Sequence, residues 1–208
     1  MKRLVLIGAS GHGKVCAEIA ELSKKYNEII FLDDDRSIKK CGRYPVYGVS
    51  NDFCGYINEK TDFFVSIGNS EHRKRIQNDI ENAGGSIATL VHPCAIISNE
   101  ADCGKGCVVM PGAIINSGTI IGKGAIINTS ASVDHDCSVG DWSHISVGAH
   151  LCGTVVVGDG CWIGAGAIVS NNINITSDSV VGAGAVVVDD ISISGTYIGV
   201  PARPMVNE

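Results

Sequence analysis

The chain has 208 residues, of which 45% are hydrophobic, and it carries a formal net charge of −6. This length allows one or two domains, and the acidic balance argues against a nucleic-acid-binding surface. With 26 glycines but only four Phe and two Trp, the composition is typical of a β-rich protein with many turns rather than of a helical bundle.

The chain begins with a short apolar strand. Residues 2–7 read Lys-Arg-Leu-Val-Leu-Ile, and this run is too short to cross a bilayer or to act as a signal peptide. Nine cysteines without a secretory signal indicate a reducing, cytoplasmic environment. No Cys-x-x-Cys pair and no histidine cluster accompanies them, so we expect no zinc site and no other bound metal.

The first part of the chain, residues 1–90, alternates strands with helices. Strands are predicted at residues 2–7, 29–32, 63–67 and 87–91. Apolar residues at helical spacing predict a helix over about 15–26. A second helix is capped by Asn69 or Ser70 and ends at the glycine pair 84–85. This alternation predicts a small parallel sheet of the Rossmann type.

A glycine-rich loop, Gly8-Ala-Ser-Gly-His-Gly-Lys14, follows the first strand and has several interpretations. As a P-loop it lacks the hydroxyl that binds Mg²⁺, because Val15 stands at that position. As a dinucleotide fingerprint it has an acid, Asp33, about 20 residues on, but a domain of about 90 residues provides a smaller sheet than such a unit normally has. In a nucleotide-sugar pocket, N–H groups at the helix start would bind an anion, and Asp33 or Asp34 would accept bonds from hydroxyls. A tight turn followed by a solvated acidic run stays open as well.

The rest of the chain, residues 91–208, is dominated by a six-residue repeat. Every sixth residue from Ile97 to Ile193 is aliphatic except Cys103, and no insertion breaks this register. Six is a multiple of the strand period of two but not of the helical period of 3.6. Each unit is therefore a very short strand and a turn. Three such hexads close one triangular coil, and stacked coils bury what one coil cannot.

Glycines and small residues punctuate this repeat. One set of glycines recurs at every third hexad: Gly104, Gly122, Gly140 and Gly158, followed by the shifted pair Gly164 and Gly182. We expect these glycines to form corners with backbone angles that other residues avoid. The position two residues before each aliphatic is mostly small. Cysteine there is interpreted as a compact apolar filler: Cys107, Cys137 and Cys161.

One region of the repeat, from Asn128 to His144, differs from the rest because ionisable side chains cluster in it. The hexads resemble those of the hexapeptide acyltransferases, and this resemblance implies acetyl transfer from a thioester to an amine or hydroxyl. Such a transfer needs a base, and an imidazole with an ordinary pKa near ~6.5 suits neutral pH. A carboxylate on its second nitrogen fixes the tautomer and stabilises the imidazolium. His135 and Asp136 can supply these two groups, with backbone N–H groups of glycine turns binding the oxyanion.

These features together resemble the NeuD/PglD-type family of bacterial sugar O- and N-acetyltransferases. Beyond the glycine loop, the motifs that carry the resemblance extend over nearly the whole chain: Phe31-Leu-Asp-Asp34, Ile67-Gly-Asn69, Val91-His-Pro93 and the hexads. The resemblance is closest to the enzymes that N-acetylate UDP-4-amino-4,6-dideoxy sugars in bacillosamine synthesis. It implies a half-Rossmann nucleotide-sugar domain over 1–90 and a left-handed parallel β-helix over 91–208.

The resemblance also implies roles for particular residues. The nucleotide-sugar set is Ser10, Gly11, His12, Asp33, Asp34, Gly68 and Asn128, with the two aspartates near uracil or ribose. His135 is the implied general base, and Asp136 raises its basicity. The bacillosamine enzymes carry Glu at the position of Asp136, so Asp134 stays open as an alternative partner. The implied acetyl-CoA set is His144, nine residues after the base, with Ala165, Ala183 and Arg203.

The family implies a homotrimer with active sites between subunits and direct transfer in a ternary complex, without metal. O-acetylation of a sialic acid or another surface sugar stays open, as does N-acetylation of a GDP- or dTDP-linked amine. A non-catalytic scaffold of a glycan pathway is the alternative of a different class. His92 and His150 lack a partner pattern and are interpreted as structural.

Overall fold

A computed structural model of the protein describes residues 2–205. The described chain comprises two compact units, with the boundary between Pro93 and Cys94.

The N-terminal unit contains a parallel four-stranded sheet, as predicted. Its strands are β1 (Arg3–Ile7), β2 (Glu28–Leu32), β5 (Thr61–Val65) and β6 (Ser86–Ile87), and a hairpin of β3 (Lys40–Cys41) and β4 (Tyr44–Pro45) precedes β5. The spatial order is β2-β1-β5-β6. Four consecutive residues of β1 are buried, as expected for a parallel strand covered on both faces. The strand predicted at 87–91 is divided, since β6 ends at Ile87 and a separate two-residue strand forms at Leu90–Val91.

Two α-helices, α1 (Gly11–Leu22) and α2 (Ser70–Asn82), and a 3-10 helix at Ser50–Tyr56 connect these strands. The N-cap of α2 is Asn69, whose side chain accepts a hydrogen bond from the main-chain N–H of His72 at 2.9 Å. Neither α-helix in the described chain is long and apolar enough to span a membrane.

The C-terminal unit is a three-sided solenoid built mostly of two-residue strands. The first face holds Val108–Val109, Ile126–Ile127, His144–Ile145, Trp162–Ile163, Val180–Val181, Thr196–Ile198 and Arg203–Pro204. The second face holds Ile96–Ile97, Ile114–Ile115, Ser132–Val133, His150–Leu151, Ile168–Val169 and Val186–Val187. The third face holds Asp102–Cys103, Ile120–Ile121, Ser138–Val139, Val156–Val157 and Asn174–Ile175.

The strands of each face pair in parallel with the strands one coil away, for example Ile115 with Val133, so the predicted register is confirmed. The last strand of the first face, Arg203–Pro204, is the exception, because it pairs antiparallel with Thr196–Ile198. The left-handed sense of the coil stays a prediction from the family resemblance.

The hexad aliphatics fill the interior of the solenoid, where residues such as Ile115, Val133 and Leu151 are at most 1% exposed. Burying each such side chain contributes roughly 1.5–3 kcal/mol, and only stacked coils can bury both ends of the column.

The corner prediction was wrong about which residues adopt positive φ. A left-handed residue occurs at every sixth position of the solenoid: Gly106, Gly112, Gly118, Gly124, Ser130, Asp136, Trp142, Gly148, Thr154, Gly160, Gly166, Asn172, Asp178 and Gly184. The glycines that recur once per coil lie elsewhere and are required by close approach instead. A Cβ at Gly140 would lie 2.5 Å from the main-chain N of Asp159, so these glycines set the spacing between coils.

The register also fails at its last position. Ile193 is 74% exposed, and Ile191 is buried and bridges to Ile175 in its place. The final coil is two residues shorter than the others, since Val181 pairs with Tyr197 rather than with residue 199. The side chain of Asp190 compensates at this point, because its carboxylate accepts the N–H of Asn174 at 2.8 Å.

Cysteine at the small hexad position is buried as predicted, but it is more than an apolar filler. Each thiol donates to a main-chain carbonyl 15 residues further along the chain: Cys107 to Gly122 at 2.8 Å, Cys137 to Cys152 at 3.2 Å and Cys161 to Thr176 at 3.2 Å. Burial raises the pKa of the Cys107 thiol to about 12 and raises the pKa of the other two. These thiols are therefore protonated at neutral pH and are structural.

Candidate active site

The strongest candidate site lies at a solenoid corner formed by the turn 134–137. The Nδ1 atom of His135 lies 2.8 Å from the Oδ2 atom of Asp136, and both side chains are more than half exposed. Asp136 adopts a left-handed φ of 56° and is one of the non-glycine residues at these corner positions. Because Nδ1 is engaged by the carboxylate, Nε2 is the nitrogen that can accept a proton from a substrate.

The hydrogen bond that the imidazole donates to Asp136, supported by the charge of Asp134, raises the pKa of His135 above its ordinary value. Asp134 itself does not contact the imidazole. Its Oδ1 accepts the main-chain N–H of His135 and the side-chain amide of Asn116, each at 2.8 Å, and these bonds lower the pKa of Asp134. The two aspartates thus have different tasks, since one pairs with the ring and the other with the backbone of the turn.

Two glycines one coil away make room for this pair. A Cβ at Gly153 would lie 2.5 Å from Nε2 of His135, and a Cβ at Gly118 would lie 2.5 Å from Oδ1 of Asp136. The imidazole therefore lies directly over Gly153 and the carboxylate directly over Gly118.

A second polar group lies on the first face of the solenoid. The side-chain amide of Asn128 lies 2.9 Å from Nε2 of His144, and the ring of His144 stacks on Trp162 with centroids 5.3 Å apart. Trp162 is 49% exposed, so it presents an aromatic surface beside the imidazole. An amide, an imidazole and an indole together can hold a long ligand that is polar at some points and apolar at others.

The other residues of the implied acetyl-CoA set lie further along the solenoid. Ala165 and Ala183 are exposed and precede the left-handed corner residues Gly166 and Gly184. Arg203 donates to Asp189, with its Nη1 atom 3.3 Å from the carboxylate. That surface ion pair is weak enough for a phosphate to replace the aspartate.

In the N-terminal unit, Asp33 follows β2 and fixes the glycine loop. Its Oδ2 accepts the main-chain N–H of Ala9 at 2.6 Å. Asp33 also lines a cavity of about 230 Å³ together with Arg36, Lys39 and Tyr47. Asp34 has a different role, since its carboxylate accepts the N–H of Ser50 at the start of the 3-10 helix.

The predicted loop residues surround the start of α1. Ser10 is the N-cap, Gly11 is the first helical residue, and the Nε2 atom of His12 lies 3.7 Å from the Cys16 thiol. Burial, aided by the charge of Arg73, lowers the pKa of His12 to about 4, so its ring is neutral at pH 7.

Gly68 lies in the turn that follows β5. The main-chain carbonyl of exposed Gly68 accepts a hydrogen bond from the fully buried guanidinium of Arg73 at 2.8 Å. The carboxyl ends of β1, β2 and β5 thus bring together the glycine loop, Asp33 and Gly68, as expected for a ligand site at this edge of a parallel sheet.

Sequence reasoning missed several residues that contact the candidate groups. Gly153, Trp162, Gly118 and Asn116 were not singled out. Each lies three hexads from a group that was, namely His135, His144, Asp136 and Asp134 respectively. The three-hexad coil already contained this signal, because residues at that interval are stacked neighbours.

Comparison with known proteins identifies relatives of both units. Residues 3–80 match the PglD N-terminal domain family. UDP-N-acetylbacillosamine N-acetyltransferase of Bacillus subtilis is 35% identical over 112 residues, which is 53% of this chain and 52% of that protein. The chain thus matches about half the length of this curated relative.

Solved structures match the chain from end to end. The acetyltransferase domain of PglB from Neisseria gonorrhoeae, in complex with acetyl coenzyme A, is 40% identical, with a TM-score of 0.94 over 98% of this chain and 99% of that one. A variant of perosamine N-acetyltransferase from Caulobacter crescentus, in complex with CoA and GDP-perosamine, is 33% identical. Its TM-score is 0.95 over 100% of this chain and 98% of that one.

Proposed function

The chain belongs to the NeuD/PglD-type family of sugar N-acetyltransferases, and on that premise we propose that it transfers acetyl from acetyl-CoA to the 4-amino group of a UDP-linked 4-amino-4,6-dideoxyhexose. The observation that carries this proposal is the 2.8 Å contact between the His135 imidazole and the Asp136 carboxylate at an exposed solenoid corner.

In the proposed reaction His135 is the general base. Its Nε2 accepts a proton from the sugar amine while the amine nitrogen forms a bond to the thioester carbonyl carbon. The carbon–sulfur bond breaks, and the imidazolium returns the proton to the departing thiolate, so atoms and charges balance. Asp136 holds Nδ1–H and stabilises the imidazolium, which is the task of the aspartate in a serine hydrolase triad.

Acetyl-CoA supplies the acetyl group, and the residues of the first solenoid face fit such a ligand. We assign the thioester end to His144, which is half-buried and whose Nε2 lies 2.9 Å from the side-chain amide of Asn128, a residue of the implied nucleotide-sugar set. The exposed ring of Trp162 offers an apolar surface for the pantetheine chain. Arg203 can exchange Asp189 for a CoA phosphate, since the pair is exposed.

The nucleotide sugar is assigned to the carboxyl edge of the N-terminal sheet. Main-chain N–H groups at Gly11 and His12 lie at the start of α1, where the helix dipole favours a diphosphate. The cavity beside Asp33 contains Arg36 and Lys39 as well as the aromatic ring of Tyr47, groups that can hold a base and a ribose.

The active enzyme is proposed to be a homotrimer with its sites between subunits. Ile120 and Val156 are outward-facing residues of the third face, and they are 57% and 42% exposed. Such apolar surface is typical of a subunit interface. Light scattering should give three times the 21.7 kDa mass of one chain, and a stable monomer would contradict this part of the proposal.

A panel of acceptors tests the reaction. We expect the UDP-linked 4-amino sugar to exceed its GDP- and dTDP-linked counterparts, and any hydroxyl acceptor, by about 100-fold in kcat/KM. Mass spectrometry of the product identifies the acetylated position. Preference for a hydroxyl would support sialic-acid or other sugar O-acetylation instead.

Calorimetric titration with acetyl-CoA separates the enzyme from a non-catalytic scaffold. The proposal requires about one binding site per chain, whereas a scaffold with a vestigial pocket should bind none.

A further inference from the structure

A buried threonine lies beneath the turn that carries the candidate base. Thr119 is 0% exposed and lies one coil before Cys137. Its hydroxyl donates to the main-chain carbonyl of Asp134 at 2.6 Å and accepts the main-chain N–H of Cys137 at 3.2 Å. One hydroxyl thus connects the two ends of the turn 134–137.

Among the described residues of the same column at this corner, Thr119 is the one that carries a hydroxyl. On the other coils, the equivalent positions are Ala101, Cys137, Val155 and Ile173. Alanine, valine and isoleucine side chains offer neither donor nor acceptor, and Cys137 makes the corresponding bond to Cys152 with a thiol, at 3.2 Å. Within residues 2–205, the turn that carries His135 is therefore the one at this corner that a buried hydroxyl, that of Thr119, bridges.

The geometry of the His135–Asp136 pair depends on the backbone of this turn. The two side chains are 58% and 64% exposed, so water competes for their hydrogen bond. Hydrogen bonds hold the backbone of the turn: the N–H of Asp136 donates to Ser117 at 2.9 Å, the carbonyl of His135 accepts from Thr154 at 2.9 Å, and the Thr119 hydroxyl bonds to Asp134 and Cys137.

We propose that Thr119 is a positioning residue for acetyl transfer: its buried hydroxyl sets the turn so that Nδ1 of His135 meets Asp136 and Nε2 faces the amine. This inference rests on the proposed function, because it assigns His135 as the base. It adds a residue that touches neither substrate and acts only through the backbone of the catalytic turn.

The chain offers a matched control for this bridge. Ser143 is also 0% exposed, donates to the carbonyl of Gly158 at 2.8 Å and accepts the N–H of Cys161 at 3.0 Å. It therefore spans the turn 158–161 in the same way, and that turn carries none of the proposed catalytic groups.

The test compares Thr119→Val, which keeps the shape but removes the hydroxyl, with Thr119→Ser, which keeps the hydroxyl, and with Ser143→Ala. We expect Thr119→Val to lower kcat by about 10-fold or more with both KM values within about twofold of wild type, because the base is displaced rather than lost. Thr119→Ser should restore kcat. Ser143→Ala should lower the melting temperature by a similar amount but leave kcat unchanged.

A second readout does not depend on turnover. In NMR titrations of ¹⁵N-labelled histidine, with His135→Gln used for assignment, Thr119→Val should move the pKa of His135 down towards the ordinary histidine value. Ser143→Ala should leave this pKa where it is. If the wild-type protein acetylates no sugar nucleotide, the proposed function fails, but this titration still reports whether Thr119 holds the pair together.

Two outcomes would overturn the inference. One is a folded Thr119→Val variant with wild-type kcat and an unchanged His135 titration. The other is an equal loss of kcat in Thr119→Val and Ser143→Ala, which would show general destabilisation. If Thr119→Val does not fold, Thr119→Cys replaces it, since a buried thiol already makes the equivalent bond at Cys137. We then expect a kcat below that of the serine variant, and a wild-type value would contradict the proposal.

Discussion

Replacing Gly153 by alanine tests the position of the imidazole without touching it. The new Cβ would lie 2.5 Å from Nε2 of His135, whereas ordinary contact begins at about 3.4 Å, so the ring must move by about 0.9 Å. The backbone at Gly153 lies outside the left-handed region, and the obstructing atoms are the end of an exposed side chain. The fold can therefore accept the methyl group while the base cannot keep its place.

A displacement of about 1 Å at a reacting group lowers the rate by about 100-fold. We expect Gly153→Ala to lose kcat by roughly this factor, with a melting temperature within about 2 °C of wild type. Steady-state kinetics with both substrates and a thermal melt measure the two quantities. Gly55→Ala is the control, since a Cβ there meets nothing within 4 Å. Full activity in Gly153→Ala, or a loss of activity that follows a loss of stability, would refute the reasoning.

Three further predictions concern charge, burial and packing. Asp136→Asn removes the group that raises the pKa of His135, so the acidic limb of the pH–rate profile should move to lower pH and the plateau rate should fall. An acidic limb at the wild-type pH would argue against a functional His135–Asp136 pair. His12 has a pKa of about 4 in the folded protein and 6.5 ordinarily, so the unfolded chain binds the proton first and stability is lost as pH falls from about 6.5 to 4. This loss is at most about 3 kcal/mol, and urea unfolding of His12→Gln should show a flatter profile in that range, whereas a profile like that of wild type would contradict it. Gly140→Ala would place a Cβ 2.5 Å from the main-chain N of Asp159, so it should destabilise the solenoid by about 1–3 kcal/mol in the same assay, and unchanged stability would contradict this account of coil spacing.

The solenoid could be predicted because its signal is carried by many residues at once. Each hexad aliphatic must point inward, and an error at one position does not change the period. The end of the array could not be predicted in this way. Ile191 and Ile193 are equally apolar, and the choice between them depends on a coil shortened by two residues and on the carboxylate of Asp190.

The glycines of the solenoid show that residue type alone does not establish why a glycine is required at a given position. Glycine is favoured both where φ is left-handed and where two backbones approach closely, and only the structure distinguishes these two requirements. Gly140 serves close approach, whereas the left-handed position two residues later is occupied by Trp142, a residue that no propensity rule would place there.

The candidate site was predicted in its residue types but not in its geometry. The adjacent His135 and Asp136 stood out because few ionisable groups occur in the repeat. Which of two aspartates meets the ring depends on the left-handed φ of Asp136, which the sequence does not reveal. The supporting residue Thr119 lies in a column of small side chains and becomes significant only when the coils are stacked.

The central claim is that His135 removes the proton from a nucleotide-linked amine. The most direct measurement is the kcat of His135→Ala with acetyl-CoA and the UDP-linked 4-amino-4,6-dideoxyhexose, with acetyl-CoA affinity measured in parallel by calorimetry. The account predicts a fall in kcat of at least about 100-fold at unchanged acetyl-CoA affinity. A variant that turns over near the wild-type rate would contradict it.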